Sequence, residues 1–393
     1  MYFRFVVASL SAIVFACITT VAEVLPAAPD QSKEQRMDRI STRRKTFRTA
    51  KGKEFQVTIF TIAGTAPGPV LGIVAGQHGM EHSGPNLLPE LMTELAGRDF
   101  AGTVHVCPCA NPLALEMDYE FYPENEDLSK INDHYYSIFR HNYCPWGLGR
   151  DNGDTWYNMN RLWGRKEIHG VAGEITKWLW QEVCADADII LDLHCLQAEK
   201  PLIFNSFDKN IPIARYAGIE AIFMCDQNPN DSARGNLTWV GSQAEKQYAI
   251  CLEFSRQHGL KESEYELGKQ AIRNVMTGAN MLPGEVVLTR PVWVVPTRNN
   301  GGRLAVRHTG HIRYTVELYD HVRKGDKLYE VRDIQTVELL EEGFAPNDGI
   351  VAGIAHQPVI RPDIMPCWVP EVVLAAEAGR ILPKLPRNFF KNK

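Results

Sequence analysis

The chain alternates short apolar runs, rich in β-branched residues, with stretches in which apolar residues recur at helical spacing. Short apolar runs predict buried strands of a parallel sheet. The runs of this kind are residues 70–75, 103–108, 187–194 and 248–254. Helical periodicity predicts helices over residues 86–95, 171–183 and 264–281. Strands that alternate with helices indicate an α/β fold with a mixed, mostly parallel sheet flanked by helices.

The pattern changes at two other places in the chain. Residues 55–62 alternate apolar and polar side chains, which predicts an edge strand. After Pro283 the chain reads as short strands separated by turns, with strong turn signals at 322–326 and 345–349. We therefore expect an α/β domain over residues 53–283 and a smaller all-β domain over residues 284–393.

The N-terminal segment has the features of a signal peptide. Arg4 precedes an apolar stretch over residues 5–18, and Thr20, Val21 and Ala22 form a small-residue cleavage site. The stretch is short for a stable membrane span. We therefore expect residues 1–22 to direct export to the periplasm or the extracellular space, and an uncleaved segment would leave the protein cytoplasmic. Residues 23–52 are polar and predict a leader or linker.

Composition and charge narrow the classes of function. The chain has 393 residues, of which 45% are hydrophobic and 23% are charged, as in an ordinary globular protein. A net charge of −5 argues against a dedicated nucleic-acid binder, which carries a basic face. The nine cysteines show neither zinc-ribbon nor redox spacing. Cys17 lies in the predicted signal peptide, and we expect most of the other eight to be buried thiols, while export would allow some of them to pair as disulfides. The oligomeric state is left open by these patterns.

Two apolar strands end in side chains that bind metals. His78 and Glu81 follow the strand that closes at Gly76, and His194 ends a later strand. Open α/β sheets bind ligands at the carboxyl ends of their strands. Two imidazoles and a carboxylate suit zinc, and three protein ligands leave the fourth position open, as in catalytic sites. The pair His78 and Glu81 alone is also compatible with a capped turn.

Two further acidic residues lie within these strands. A buried carboxylate without a partner is costly, so Glu253 either faces a cleft at the end of its strand or has a partner. Asp192 is two residues before His194 and faces the same side of its strand. It either orients the histidine or has a structural role.

The order of these motifs resembles that of the succinylglutamate desuccinylase/aspartoacylase family, whose catalytic domain is related to zinc carboxypeptidases. The matching segments are residues 76–81, 111–112, 158–161 and 192–194, and Glu253. The resemblance implies a carboxypeptidase-like catalytic domain at 53–283. It also implies a smaller C-terminal domain that looks like a biotinyl or lipoyl barrel.

The resemblance assigns roles to individual residues. It implies one zinc ion per chain, held by His78, Glu81 and His194. It also implies that Glu253 is the general base, which accepts a proton from water and passes it to the leaving amine.

Substrate binding is implied by the same resemblance. Asn160 and Arg161 match the pair that binds a substrate carboxylate, for which a planar guanidinium is suited. The family has a further arginine that polarises the scissile carbonyl, and Arg150 is the nearest candidate.

The resemblance implies a zinc-dependent hydrolase that cleaves the amide bond of a small N-acylated amino acid or a related amine. One alternative is a zinc carboxypeptidase that acts on peptides or cell-wall fragments, because the same ligands would serve it. Another is a non-catalytic zinc or ligand-binding module. The acyl group and the amine stay open.

Overall fold

The structure is a computed structural model that describes residues 39–117, 158–168, 170–196, 198–226, 233–257, 259, 261–296 and 301–390. The predicted signal peptide and Arg150 lie outside these ranges. Within them, no helix combines the length and apolar character needed to cross a membrane.

The described part of the chain is built from strands and helices that alternate in its first two thirds. In chain order the strands are β1 (Ile40–Arg48), β2 (Glu54–Ala63), β3 (Ala66–Ala75), β4 (Ala101–Cys107), β5 (Ile189–Cys195), β6 (Leu202–Asn205), β7 (Ala221–Met224), β8 (Tyr248–Phe254), β9 (Val286–Val287), β10 (Val292–Pro296), β11 (Gly310–Tyr314), β12 (His321–Val322), β13 (Lys327–Arg332), β14 (Leu339–Phe344), β15 (Gly349–Ile350), β16 (Gly353–Ile354), β17 (Val359–Ile360), β18 (Cys367–Trp368), β19 (Val373–Ala376) and β20 (Ile381–Leu382).

The α-helices connect the strands of the first two thirds. They are α1 (Ser83–Ala96), α2 (Pro112–Met117), α3 (Gly170–Leu179), α4 (Ile211–Ala214), α5 (Leu237–Gly241) and α6 (Glu262–Gly278). A π-helical turn follows α3, and short 3-10 turns complete the described helical segments: Trp180–Cys184 (π), then Met159–Arg161, Asp208–Asn210, Arg215–Ala217 and Ala233–Gly235.

Ten of the described strands form one large sheet in the order β1-β2-β4-β3-β5-β8-β6-β7-β10-β19. The neighbours from β4 through β3 and β5 to β8 are parallel, whereas β8 and β6 are antiparallel. The predicted mixed, mostly parallel sheet is therefore confirmed. The small strands near the C-terminus form antiparallel pairs and a four-stranded sheet, β14-β13-β11-β17.

Helices cover both faces of the large sheet. All seven residues of β5 are buried. Leu191 and Leu193 pack with α1 and α6 on one face, whereas Ile190 packs with α3 on the other. Each fully buried leucine or isoleucine contributes about 1.5–3 kcal/mol to folding. Burial on both faces explains why these strands read as continuous apolar runs rather than as alternating patterns.

The structure differs from the prediction at the first two strands. β1 lies in the segment that predicted a linker, and within it Phe47 is the one buried residue. A strand exposed along most of its length carries no apolar period, which explains the difference. β2 was predicted at the edge of the sheet, but it lies between β1 and β4.

Residues on both sides of Pro283 contribute to the large sheet. β10 pairs with β7, and β19 pairs with β10. The final segment also returns to the α/β part, where the Phe389 ring stacks on Tyr248 with 5.0 Å between centroids. The division into domains at residue 283 stays a prediction, and two of the strands after Pro283, β10 and β19, belong to the large sheet.

Candidate active site

The turn after β3 places two of the predicted metal ligands at the carboxyl edge of the sheet. Gly76 has a φ of 66° there, a left-handed conformation that favours glycine. A Cβ at this position would also approach Leu115 to 2.7 Å. The chain therefore turns sharply at the end of the strand and carries His78 and Glu81 to the sheet edge where parallel strands place ligands.

The three predicted metal ligands converge in the folded chain. The Nδ1 atom of His78 lies 2.8 Å from Oε1 of Glu81, and Nδ1 of His194 lies 2.7 Å from Oε2 of the same carboxylate. All three side chains are buried. Each can offer a ligand atom within 4.8 Å of the other two. The sequence pattern thus identified three side chains that lie together although the histidines come from different strands.

The far nitrogen of each histidine is held by an oxygen. His78 Nε2 donates to Oδ1 of Asn158 at 3.0 Å, and this oxygen also accepts the backbone N–H of Asn160. His194 Nε2 lies 3.0 Å from Oδ1 of Asp192. Contacts of this kind fix the ring orientation and direct the other nitrogen toward the ligand position. Asp192 therefore has the geometry of a residue that orients His194.

The charges of the cluster fit a divalent cation. Burial alone would raise the pKa of Glu81, but His78 and His194 outweigh it and hold that pKa at about 2. Burial would lower the pKa of His194, yet Asp192 and Glu81 raise it well above its usual range. Oδ2 of the buried Asp192 has no hydrogen-bond partner among the described residues. A cation that replaces the imidazole proton balances the negative charges of Glu81 and Asp192. The donor set of two nitrogens and one oxygen suits zinc.

Glu253 is the neighbour of His194 in the sheet. The two residues are register partners on β8 and β5, so their side chains leave the same face. Burial raises the pKa of Glu253 to about 7, against the opposing effect of His194. The Cys251 thiol donates to Oε1 of Glu253 at 3.5 Å. Glu253 lies at the strand end and lines a cavity, which is the first of the two arrangements that the sequence allowed.

Asn160 and Arg161 lie on the short helical turn Met159–Arg161 and line the same cavity. Asn160 Oδ1 accepts the backbone N–H of Leu237 at 3.0 Å. The Arg161 guanidinium donates to the backbone oxygen of Asn160 at 2.7 Å. The turn is packed tightly, because a Cβ at Gly235 would lie 1.9 Å from the backbone oxygen of Arg161. Both side chains are thus held near the cluster.

Two buried residues to which the sequence assigned no role, Gln77 and Trp163, connect the chain after this turn to Asp192, beside the candidate metal ligands. Gln77 Nε2 donates to Asp192 Oδ1 at 2.6 Å, and Trp163 Nε1 donates to Gln77 Oε1 at 2.7 Å. Gln77 is 0% exposed and Trp163 is 1% exposed. The signal for Gln77 was its place directly before His78, whereas nothing local to Trp163 indicates its partner.

The cavity has a volume of about 170 Å³. Six of the seven predicted site residues line it, and Arg150 is outside the described residues. The predicted residues in the wall are His78, Glu81, Asn160, Arg161, His194 and Glu253. The other described residues in the wall are Cys195, Phe204, Ser206, Cys225, Asn236, Thr238 and Cys251.

Comparison with known proteins finds one matching family and a set of similar folds. The family model of the succinylglutamate desuccinylase/aspartoacylase catalytic domain matches residues 67–279. A succinylglutamate desuccinylase/aspartoacylase from Rhodobacter sphaeroides shares 16% identity and a TM-score of 0.59, over 85% of this chain and 95% of that one. No curated protein matches the sequence significantly.

Two further solved structures have the same fold. An aspartoacylase family protein from Mesorhizobium loti shares 19% identity and a TM-score of 0.58, over 85% of this chain and 95% of that one. The product-bound ectoine utilization protein EutE from Ruegeria pomeroyi shares 16% identity and a TM-score of 0.58, over 84% and 95% of the two chains. At these identities the likeness establishes a common fold.

Proposed function

Because the chain belongs to the succinylglutamate desuccinylase/aspartoacylase family of hydrolases, we propose that it is a zinc-dependent deacylase of small N-acylated amino acids. Water would cleave the amide bond, releasing a carboxylic acid and an amine. The observation that carries the proposal is the register pairing of Glu253 with His194 in a cavity that also contains Arg161. A proton acceptor, a metal cluster and a carboxylate-binding cation then face one small substrate.

His78, Glu81 and His194 are the residues that would hold the zinc ion. Bound zinc supplies Lewis-acid chemistry, which polarises a carbonyl oxygen and lowers the pKa of water toward about 7. Asn158 and Asp192 keep both histidine rings oriented, through the contacts at their Nε2 atoms.

Glu253 would move the proton during hydrolysis. Its carboxylate accepts a proton from the attacking water as the new C–O bond forms, and delivers it to the amine nitrogen as the C–N bond breaks. Burial supports this role, because it raises the pKa of Glu253 to about 7 and so makes the carboxylate a better proton acceptor.

Asn160 and Arg161 would bind the carboxylate of the amino-acid half. A guanidinium can donate two parallel hydrogen bonds to a carboxylate, and a side-chain amide can add a third. The turn that carries both residues is fixed through Leu237 and Gly235, so these two residues are held in place before substrate arrives.

The proposal is tested by hydrolysis of two panels of compounds, N-acylated amino acids and peptides with a free C-terminus, with and without a metal chelator. Chelator-sensitive hydrolysis of the first panel is expected. Preferential cleavage of peptides would favour a zinc carboxypeptidase, and zinc binding without hydrolysis of either panel would favour a binding module.

Arg161→Ala should raise KM by about 10–100-fold, because charge-assisted hydrogen bonds contribute roughly 1.5–3 kcal/mol. The contact is made in the ground state as well as in the transition state, so kcat should change much less. Steady-state kinetics with an N-acyl amino acid and with its carboxamide measure the effect. Arg290→Ala, which removes an exposed arginine paired with Glu220, is the matched control. An unchanged KM for the carboxylate substrate would contradict the assignment.

We also propose that the protein is exported, on the basis of the N-terminal apolar stretch. In a secreting host, N-terminal sequencing of the native protein should find a mature chain that begins near Glu23. Soluble cytosolic protein with an intact Met1 would contradict this.

A further inference from the structure

The cavity is lined by residues that the proposed mechanism uses and by uncharged residues that it does not use. The first set contains the candidate metal ligands, Glu253 and Arg161, and the second contains Phe204 with thiols and neutral polar groups. We propose that three of the uncharged residues, Phe204, Cys225 and Cys251, bind the side chain of the amino-acid half and select an uncharged one. The inference rests on the proposed function and specifies its substrate class.

The sheet brings Phe204 and Cys251 beside Glu253. Cys251 precedes Glu253 by two residues on β8, so both side chains leave the same face. Phe204 on β6 is the register partner of Cys251. Cys225 follows β7, and its backbone N–H donates to the oxygen of Asn205 at 2.7 Å. The uncharged residues Phe204 and Cys251 therefore lie beside the proposed proton acceptor, Glu253.

The size of the cavity indicates which part of the substrate enters it. A volume of about 170 Å³ is below the roughly 300–1,000 Å³ that is usual for pockets of drug-sized ligands. A space of this size among the described residues favours a small substrate over a peptide chain. Arg161 lines the same cavity as Glu253, so an amino-acid half whose carboxylate binds Arg161 places its side chain in this cavity.

Phe204, Cys225 and Cys251 form a neutral wall, which is unfavourable for a charged side chain. Burial raises the pKa of the Cys225 thiol to about 11, so this wall presents a protonated thiol at neutral pH. The Cys251 thiol donates to Glu253 and adds no positive charge. An acidic side chain against Phe204 would lose water, and neither Phe204, Cys225 nor Cys251 offers it a cation, which costs free energy. An uncharged side chain gains apolar contact in the same place.

Aromatic contacts behind the wall keep Phe204 in position. Its ring lies 6.3 Å from that of Phe223 in an edge-on arrangement. Phe223 in turn lies 6.1 Å from Trp368, which belongs to the C-terminal strand β18. Packing of this kind makes a wall that resists displacement, so side-chain size as well as charge should matter.

The experiment measures kcat/KM for a series of N-acyl amino acids that share the best acyl group from the panel above. The side chains are those of alanine, valine, methionine, leucine and phenylalanine, and of aspartate and glutamate. We expect the best uncharged side chain to exceed both acidic ones by at least about tenfold, because a pocket contact typically changes kcat/KM by 10–200-fold.

Phe204→Ala should enlarge the pocket and raise the phenylalanine-to-alanine ratio of kcat/KM by about tenfold or more. Phe344→Ala, at an exposed phenylalanine on β14, should leave this ratio unchanged. Thermal unfolding checks that both variants fold. If Phe204→Ala does not fold, Phe204→Leu provides a milder enlargement of the pocket.

Each outcome has a separate meaning. A preference for aspartate or glutamate, or an unchanged ratio in folded Phe204 variants, would overturn the inference while leaving the deacylase proposal intact. Failure to hydrolyse any N-acyl amino acid would overturn the proposed function, and the inference with it.

Discussion

Glu253→Gln should lower kcat by roughly a hundred- to ten-thousand-fold while the protein keeps its zinc. Glutamine preserves the size of the side chain and its ability to hydrogen-bond, but it cannot accept the proton of water. Glu253 is not one of the three side chains that converge as metal ligands, so metal content should not change. Steady-state kinetics and elemental analysis of the same preparation measure both quantities. Glu285→Gln, at an exposed glutamate, is the control.

The pH dependence gives a second readout for Glu253. A general base works only when deprotonated, so kcat/KM of the wild-type enzyme should fall as pH decreases through the pKa of Glu253. Burial raises that pKa to about 7, and a cation beside His194 would move it downward. The Glu253→Gln variant should lose this acid limb. Near-normal kcat in the variant, with the limb retained, would show that another group is the base.

His194→Ala and His78→Ala should each lose the metal and all measurable hydrolysis. Removal of groups that only support a metal ligand typically weakens binding by about 10–100-fold, and loss of a ligand itself should exceed that. The alanine also leaves Glu81 without the imidazole that lies 2.7 or 2.8 Å from it. Elemental analysis after dialysis and competition with a chromophoric chelator measure the effect.

The matched control for these variants is His105→Ala. His105 is a half-buried histidine on β4 whose Nδ1 lies 2.9 Å from the Thr61 hydroxyl, away from the cluster. This variant should keep about one zinc per chain. If both ligand variants also keep a full zinc complement, the ligand assignment is wrong.

The centre of the fold was predictable from the sequence because its strands are buried on both faces. Runs that end at Gly76 and at His194 became β3 and β5, which are parallel neighbours at the middle of the sheet. The carboxyl ends of adjacent parallel strands necessarily lie together, so the convergence of the three candidate metal ligands followed from their positions along the chain. Glu253 was predictable for the same reason, since β8 is the next strand.

Other parts of the molecule depend on contacts between distant segments, which leave no local pattern. The link from Trp163 through Gln77 to Asp192 joins three separate stretches of chain. β1 is almost wholly exposed and so lacks an apolar period. Hydrophobic periodicity reports burial within one element, and it does not report which element a polar side chain reaches.

The route of the chain around β10 and β19 has a consequence for modularity. The two strands pair antiparallel, with Val294 opposite Val373, although most of the small C-terminal strands lie between them in the sequence. The pair resembles a hairpin in which the segment between Pro296 and Val373 takes the place of the loop. We call this segment the cassette. Roughly two to five residues ordinarily suffice to close a hairpin.

A cassette with adjacent ends can be exchanged without changing the order of the remaining strands. Stopping the chain at Pro283, by contrast, would delete β10 and β19 from the sheet itself. A replacement cassette must cover the apolar surface that Trp368 now covers at Phe223. Changes in the cassette would therefore reach the candidate site through the packing of Leu318, Tyr319 and Trp368 near Phe204 and Phe223, while the order of the sheet strands stays the same.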